Sequence, residues 1–200
     1  MSGIIAQNSG RHTGLVKASS GGGGVWNLIE TLTASSSATL SFTSGIDSTY
    51  VEYVFKFIDI HPATDVENFL FQVDTGTNTS YNQTMTTTQF NAQHDEADTS
   101  TALGYNGSGD QAQGSAFQVL LERCGNDNDS CLTGFLHIFD PSNTTFVKHF
   151  LATTQGEQTA ESRQFFTAGY VNTTTALTRV QFKMSSGNID SGSISLFGIT

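Results

Sequence analysis

The side chains of this sequence that could do chemistry are few and scattered. Its histidines are His12, His61, His94, His137 and His149. The densest group of possible metal ligands is His94-Asp95-Glu96 with Asp98. Carboxylates there, helped by backbone carbonyls, would supply the oxygen donors that calcium prefers. Their spacing does not match an EF-hand, and a hydrated acidic loop explains them more simply. The loop Asp127-Asn128-Asp129 invites the same guess and the same answer. His137 and His149 fall in adjoining strand segments and are candidate cross-strand neighbours, which two ordinary part-buried histidines explain without a ligand. No metal or cofactor site is expected.

Nucleophilic catalysis finds no support. No serine sits in Gly-x-Ser-x-Gly, and the strand-to-helix elbow that this motif needs has no counterpart. Cys124 has no histidine at a spacing that would make it a nucleophile–base pair. Glycoside hydrolysis needs two carboxylates facing one another, and sandwich enzymes gather them across strands. Glu52 and Glu122 are the strand carboxylates to test for that role, although solvent-facing strand glutamates are ordinary. The four glycines 21–24 are not followed by Gly-Lys-Ser or Gly-Lys-Thr, so they form no P-loop. The chain reads as non-enzymatic.

Cys124 and Cys131 are the only cysteines, and they flank Gly125-Asn126-Asp127-Asn128-Asp129-Ser130. That loop could bring two strand ends to disulfide distance, although closing so short a loop adds little stability. Two free thiols are the alternative, expected in a reducing compartment. A zinc site would need more ligands than these two and His137. Asn-x-Ser/Thr triplets recur, as at Asn78, Asn82 and Asn143, but a chain so rich in these residues produces them by chance. The start, Met1-Ser2-Gly3-Ile4-Ile5-Ala6, lacks the basic and hydrophobic regions of a signal peptide, so none is expected.

Composition narrows the class. Charged residues are only 13% of the chain, there are 15 Phe and 2 Pro, and the formal net charge is -10. That balance repels phosphate backbones and anionic membranes, so neither nucleic acid nor membrane is an expected partner. No stretch approaches the roughly 20 apolar residues of a membrane-spanning helix.

The elements that must position these residues are strands. The organising stretch runs from Val51 to Ile60, with Tyr53, Phe55 and Phe57 on one face and Val54 and Ile58 on the other. A period of two carried by aromatic and β-branched residues fits a strand and not an amphipathic helix. Both faces are apolar, which implies a central strand covered on both sides, or on one side by a neighbouring subunit. The same pattern recurs at 25–32, where the phase breaks at Ile29 as at a bulge, and at 38–42, 67–74, 116–123, 132–139, 145–151, 163–170, 177–184 and 192–199. The strand at 67–74 is expected to pair with the central one, and a Gly156-containing connector is expected after Leu151. Nine or ten strands without a helical stripe predict an all-β, antiparallel two-sheet β-sandwich. A jelly-roll connection is the first choice, with a barrel or another sandwich topology left open.

Two stretches fall outside that scaffold. Residues 1–24 end in four glycines and are expected to form a flexible N-terminal arm, with 25–200 as the sandwich domain. Ile4-Ile5 and Leu15-Val16 suit an arm that orders against another subunit. Residues 75–115 are rich in Asn, Thr, Gln and Gly and are expected as a long loop insertion, with at most a short strand over 84–89. Such a loop contacts a neighbour, binds a ligand or has no separate role. Tyr81, Phe90 and Tyr105 within it would be a sugar platform if exposed.

The Gly-rich start feeding Val25-Trp26-Asn27-Leu28-Ile29, the strand Tyr50-Val51-Glu52-Tyr53-Val54-Phe55 and the ending from Ser186 to Ile199 together resemble small virion structural proteins of tailed, particularly marine, bacteriophages. The resemblance covers most of the chain from residue 25 and rests on style, not on a catalytic motif. It implies a capsid-decoration, fibre or tail-associated component of a virion, a homo-oligomer (a trimer among the options) that meets other virion proteins. It transfers no functional residues. The competing function is a carbohydrate-binding module used in host-surface attachment.

Overall fold

The computed structural model describes residues 25–200. The expected arm, 1–24, lies outside the described residues. The strands are β1 (Trp26–Thr33), β2 (Leu40–Phe42), β3 (Glu52–Pro62), β4 (Glu67–Thr75), β5 (Met85–Asp95), β6 (Thr101–Tyr105), β7 (Gln118–Cys124), β8 (Leu132–Phe139), β9 (Lys148–Gln158), β10 (Glu161–Val171), β11 (Leu177–Met184) and β12 (Ile189–Ile199). They form an all-β fold of two antiparallel sheets packed as a sandwich. The larger sheet has eight strands in the order β1-β12-β3-β8-β9-β10-β5-β6, and the smaller has four in the order β2-β11-β4-β7. The chain crosses between the two sheets at every connection except β5–β6, β8–β9 and β9–β10.

The core lies between the sheets, and alternation explains it. Tyr53, Phe55 and Phe57 of β3 point inward with no exposed surface. From the smaller sheet Val180, Phe182 and Met184 face them, as the spacing over 177–184 requires. Phe182 is the hub: its ring lies 5.3 Å from those of Phe55 and Phe57 and nearly parallel to Phe69 at 5.8 Å. Edge-on and offset contacts of this kind follow from the ring quadrupole. Gly198 has no room for a side chain, because a Cβ there would stand 2.1 Å from the Tyr50 ring. That ring in turn meets Tyr53 edge-on at 5.7 Å.

Three expectations about elements are corrected. The strand at 67–74 does not pair with β3. As β4 it lies in the opposite sheet between β11 and β7, so Phe69, Phe71 and Val73 meet β3 across the core. The Gly156 connector is not a connector: β9 runs on to Gln158, and the turn into β10 is made by Thr159 and Ala160, at φ 52° and 61°. Gly156 lies within the strand because Leu121 and Leu132 crowd it, at 2.8 and 3.3 Å from a notional Cβ.

Residues 75–115, expected as one long loop, contain β5 and β6, which extend the larger sheet beyond the smaller one. Past Met85 the buried inward positions of β5, Thr87 and Gln89, are polar, and side-chain hydrogen bonds replace the missing apolar packing. Gln72, fully buried, donates to the carbonyls of Gln83, Ser115 and Ala116 at 3.0, 3.3 and 2.9 Å. Asp74 accepts from the Tyr81 backbone at 2.9 Å and from Gln83 at 3.0 Å. Gln118 donates to the carbonyls of Gly109 and Val119 and accepts from Thr87 and Gln111. Gln89 donates to the Val119 carbonyl and to Thr167, both at 2.8 Å. A buried amide so fully satisfied orders the segment around it.

Candidate functional site: the outward face of the larger sheet

Cross-strand register places side chains of successive strands side by side, so a face can be read row by row. On the outer face of the larger sheet one row runs Leu28, Phe197, Val54, His137, Leu151, Ala168 and Thr88. The next runs Lys56, Phe135, Thr153, Phe166, Phe90 and Tyr105. Among the described residues, the exposed side chains of Trp26, Leu28, Phe90, Leu103, Tyr105 and Leu151 all stand on this face. Scattered exposed apolar residues are normal in soluble proteins, but a contiguous stripe marks an interaction surface.

The two halves of the face differ. Over β1, β12, β3 and β8 it is covered by its own side chains: Trp26 meets Phe197 at 5.2 Å and Phe135 at 5.9 Å, and Val54 beneath is fully buried. Glu52 and His137 close this half with a hydrogen-bonded pair, Oε1 to Nδ1 at 2.6 Å. Over β9, β10, β5 and β6 the face is open. Leu151 is 52% exposed and Tyr105 63%, and Phe90 stacks on Phe166 at 4.8 Å. Ala168 stands between Phe166 and Tyr170 on one strand, and its small side chain leaves a groove of about 400 Å³ bordered by Phe139, His149, Leu151 and Tyr170.

The other candidate residues do not converge on a reaction centre. Glu52 lies on β3 of the larger sheet and Glu122 on β7 of the smaller, where it accepts from the Ser108 hydroxyl at 3.1 Å. His137 and His149 occupy paired strands on the same face, but His137 stands opposite Leu151 and His149 opposite Tyr170. Asp95 caps its own turn by accepting from the Thr99 and Ser100 backbones at 2.9 and 2.8 Å. The Thr99 side chain and those amides hold its carboxyl below the usual aspartate range. His94 and Asp98 pair at 3.1 Å in solvent. The two acidic loops do share one depression, lined by Glu96, Asp127, Asp129 and Glu157. Glu157 is engaged there by the Ser130 hydroxyl and the Ala160 amide. Among the described residues no three His, Cys, Asp or Glu side chains are placed to hold a metal ion.

Cys124 and Cys131 are free thiols. Burial pushes Cys124 up to about 12, and Cys131 is raised by burial and then by the Asp59 carboxylate. Neither is therefore a ready thiolate nucleophile. Of the expected sugar platform, Tyr81 is buried, whereas Phe90 and Tyr105 are exposed and directly paired across β5 and β6. The outward stripe itself was missed as a site. Its signal was in the strands: Leu151, Phe166 and Phe135 each stand out of phase with the inward residues of their own segment. The chain matches no family model, and a search of curated proteins returns no match.

Proposed function

We propose that this chain is a non-enzymatic structural component of a virion, built as a jelly roll, that works by packing with copies of itself on the capsid surface or tail. The jelly-roll reading is supported by strand order: the sets β1-β12-β3-β8 and β2-β11-β4-β7 are nested, and the chain crosses between sheets at every connection outside β5–β6 and β8–β9–β10. Self-packing is supported by one observation above all, the open apolar half of the larger sheet's outer face. A monomer gains nothing by leaving Leu151, Phe90 and Tyr105 in water, and symmetric association removes such surface in one step. The virion as the setting rests on the resemblance to tailed-phage structural proteins.

Two measurements test this reading. Sedimentation of the full chain at micromolar concentration is expected to show a closed oligomer, and quantitative mass spectrometry of purified particles a multi-copy component. A monomer absent from particles would end it. The second reading, carbohydrate binding in host attachment, draws on the exposed Phe90–Tyr105 pair. It predicts glycan-array binding that is lost in Tyr105→Ala while oligomeric state is unchanged.

A further inference from the structure

Resting on the self-packing reading above, we infer that the open half of the outer face, together with the adjoining strands β8 and β3, is the contact itself, and that a second copy covers it about a two-fold axis running between β9 and β10. The argument begins with one adjacent pair. Leu151 is a protruding side chain, 52% exposed, and its registered neighbour Ala168 is the floor of the groove. A knob beside a hole is self-complementary: a two-fold axis parallel to the strands and midway between them sets each copy's Leu151 over the other's Ala168.

The same operation fixes the remaining neighbours without adjustment. It carries β8 onto β5 and β3 onto β6, so Phe135 of one copy meets the Phe90–Phe166 stack of the other. Lys56 then falls opposite Tyr105, whose hydroxyl donates to the Asp110 carboxylate. A cation thus meets an aromatic ring and an anion, at both ends of the contact.

Charge and area both name a copy as the occupant. The chain carries a formal net charge of -10. The central rows of this face nevertheless hold only Glu52 and Lys56 as full charges, with Asp110 beside Tyr105 at the margin, so the contact carries a small share of the chain's negative charge. It is where two equally acidic molecules can approach with least repulsion. A cationic partner would be drawn to the acidic remainder instead. Strands β5, β9 and β10 are each 11 residues long. With β3 (11 residues), β8 (8) and β6 (5), at about 3.3 Å per residue and about 4.8 Å between strands, the face measures roughly 900 Å², comparable with the roughly 800 Å² that each partner buries in a standard interface. Sheets stacked face to face in this way lie about 10 Å apart.

The test is sedimentation equilibrium on the full chain and three variants, with thermal unfolding followed by circular dichroism to confirm folding. Leu151→Lys places a charge on the knob, and Ala168→Leu fills the hole; both side chains face outward, so the fold is expected to survive. Each is expected to weaken association at least tenfold. Val51→Lys, an exposed apolar residue off this face, is expected to leave it unchanged. If the wild-type chain associates and neither face variant weakens it, the contact lies elsewhere and this inference falls while self-packing stands. A wild-type chain that stays monomeric up to about 100 times the micromolar range would overturn both, as would glycan binding by that monomer lost in Leu151→Lys.

Discussion

At the scale of single residues, chemistry is displaced by packing. Phe182 touches rings from both sheets, so truncation would open a cavity that the rigid strands cannot close. Phe182→Ala is expected to lower stability by about 3–5 kcal/mol, read from the midpoint of urea unfolding. The cysteines give a second prediction. With Cys124 buried and its thiol pushed up to about 12, only Cys131 is expected to react with a thiol reagent at pH 8, and slowly. Cys124 should react only after denaturation, and an intact mass short of two hydrogens would instead mean a disulfide. Tyr53 illustrates a polar group kept in the core by its partners: its hydroxyl donates to Asp47 and accepts from the Asp47 amide at 3.0 Å. Burial, the largest influence, pushes that phenol above its ordinary range.

At the scale of elements, two features were hidden for different reasons. The β9–β10 turn uses Thr159 and Ala160 with both φ angles positive, a conformation that Asn-Gly adopts at far lower cost. Replacing the pair by Asn-Gly is expected to raise stability by about 1 kcal/mol, seen as a higher thermal midpoint. Composition at 159–160 offered no turn signal, whereas Gly156 offered a false one, because its small size serves the approach of Leu121 and Leu132. Strand β5 carries no apolar period in its sequence past Met85, because its inward residues Thr87 and Gln89 are polar. Their partners, Gln118 and Thr167, lie 31 and 78 residues away in the chain, so no local pattern could reveal the pairing. Gln118→Ala is expected to cost about 1–3 kcal/mol, since it orphans the Thr87 hydroxyl and the Gly109 carbonyl. Hydrogen exchange should quicken over 76–117 before the rest of the sandwich opens.

At the scale of the whole molecule, an acidic chain that packs with itself must overcome its own charge. Raising ionic strength screens repulsion between copies, with a Debye length of about 8 Å at physiological salt. Self-association measured by light scattering is therefore expected to strengthen between about 0.01 and 0.15 M salt. A contact dominated by ion pairs would weaken instead.

Period-two alternation by itself determined that this is an all-β sandwich, with β3 deep inside and β8 and β11 bounded residue for residue, because the inward–outward rule acts locally. Even the bulge near Ile29 was legible, as a break in phase, and appears between Leu28 and Glu30. Tertiary structure alone decided that β4 belongs to the opposite sheet, that a polar stretch becomes two strands, and that Leu151 lies beside Ala168 on an open face. Those facts depend on which distant segments meet, and a strand's own residues specify which side it buries without specifying against what.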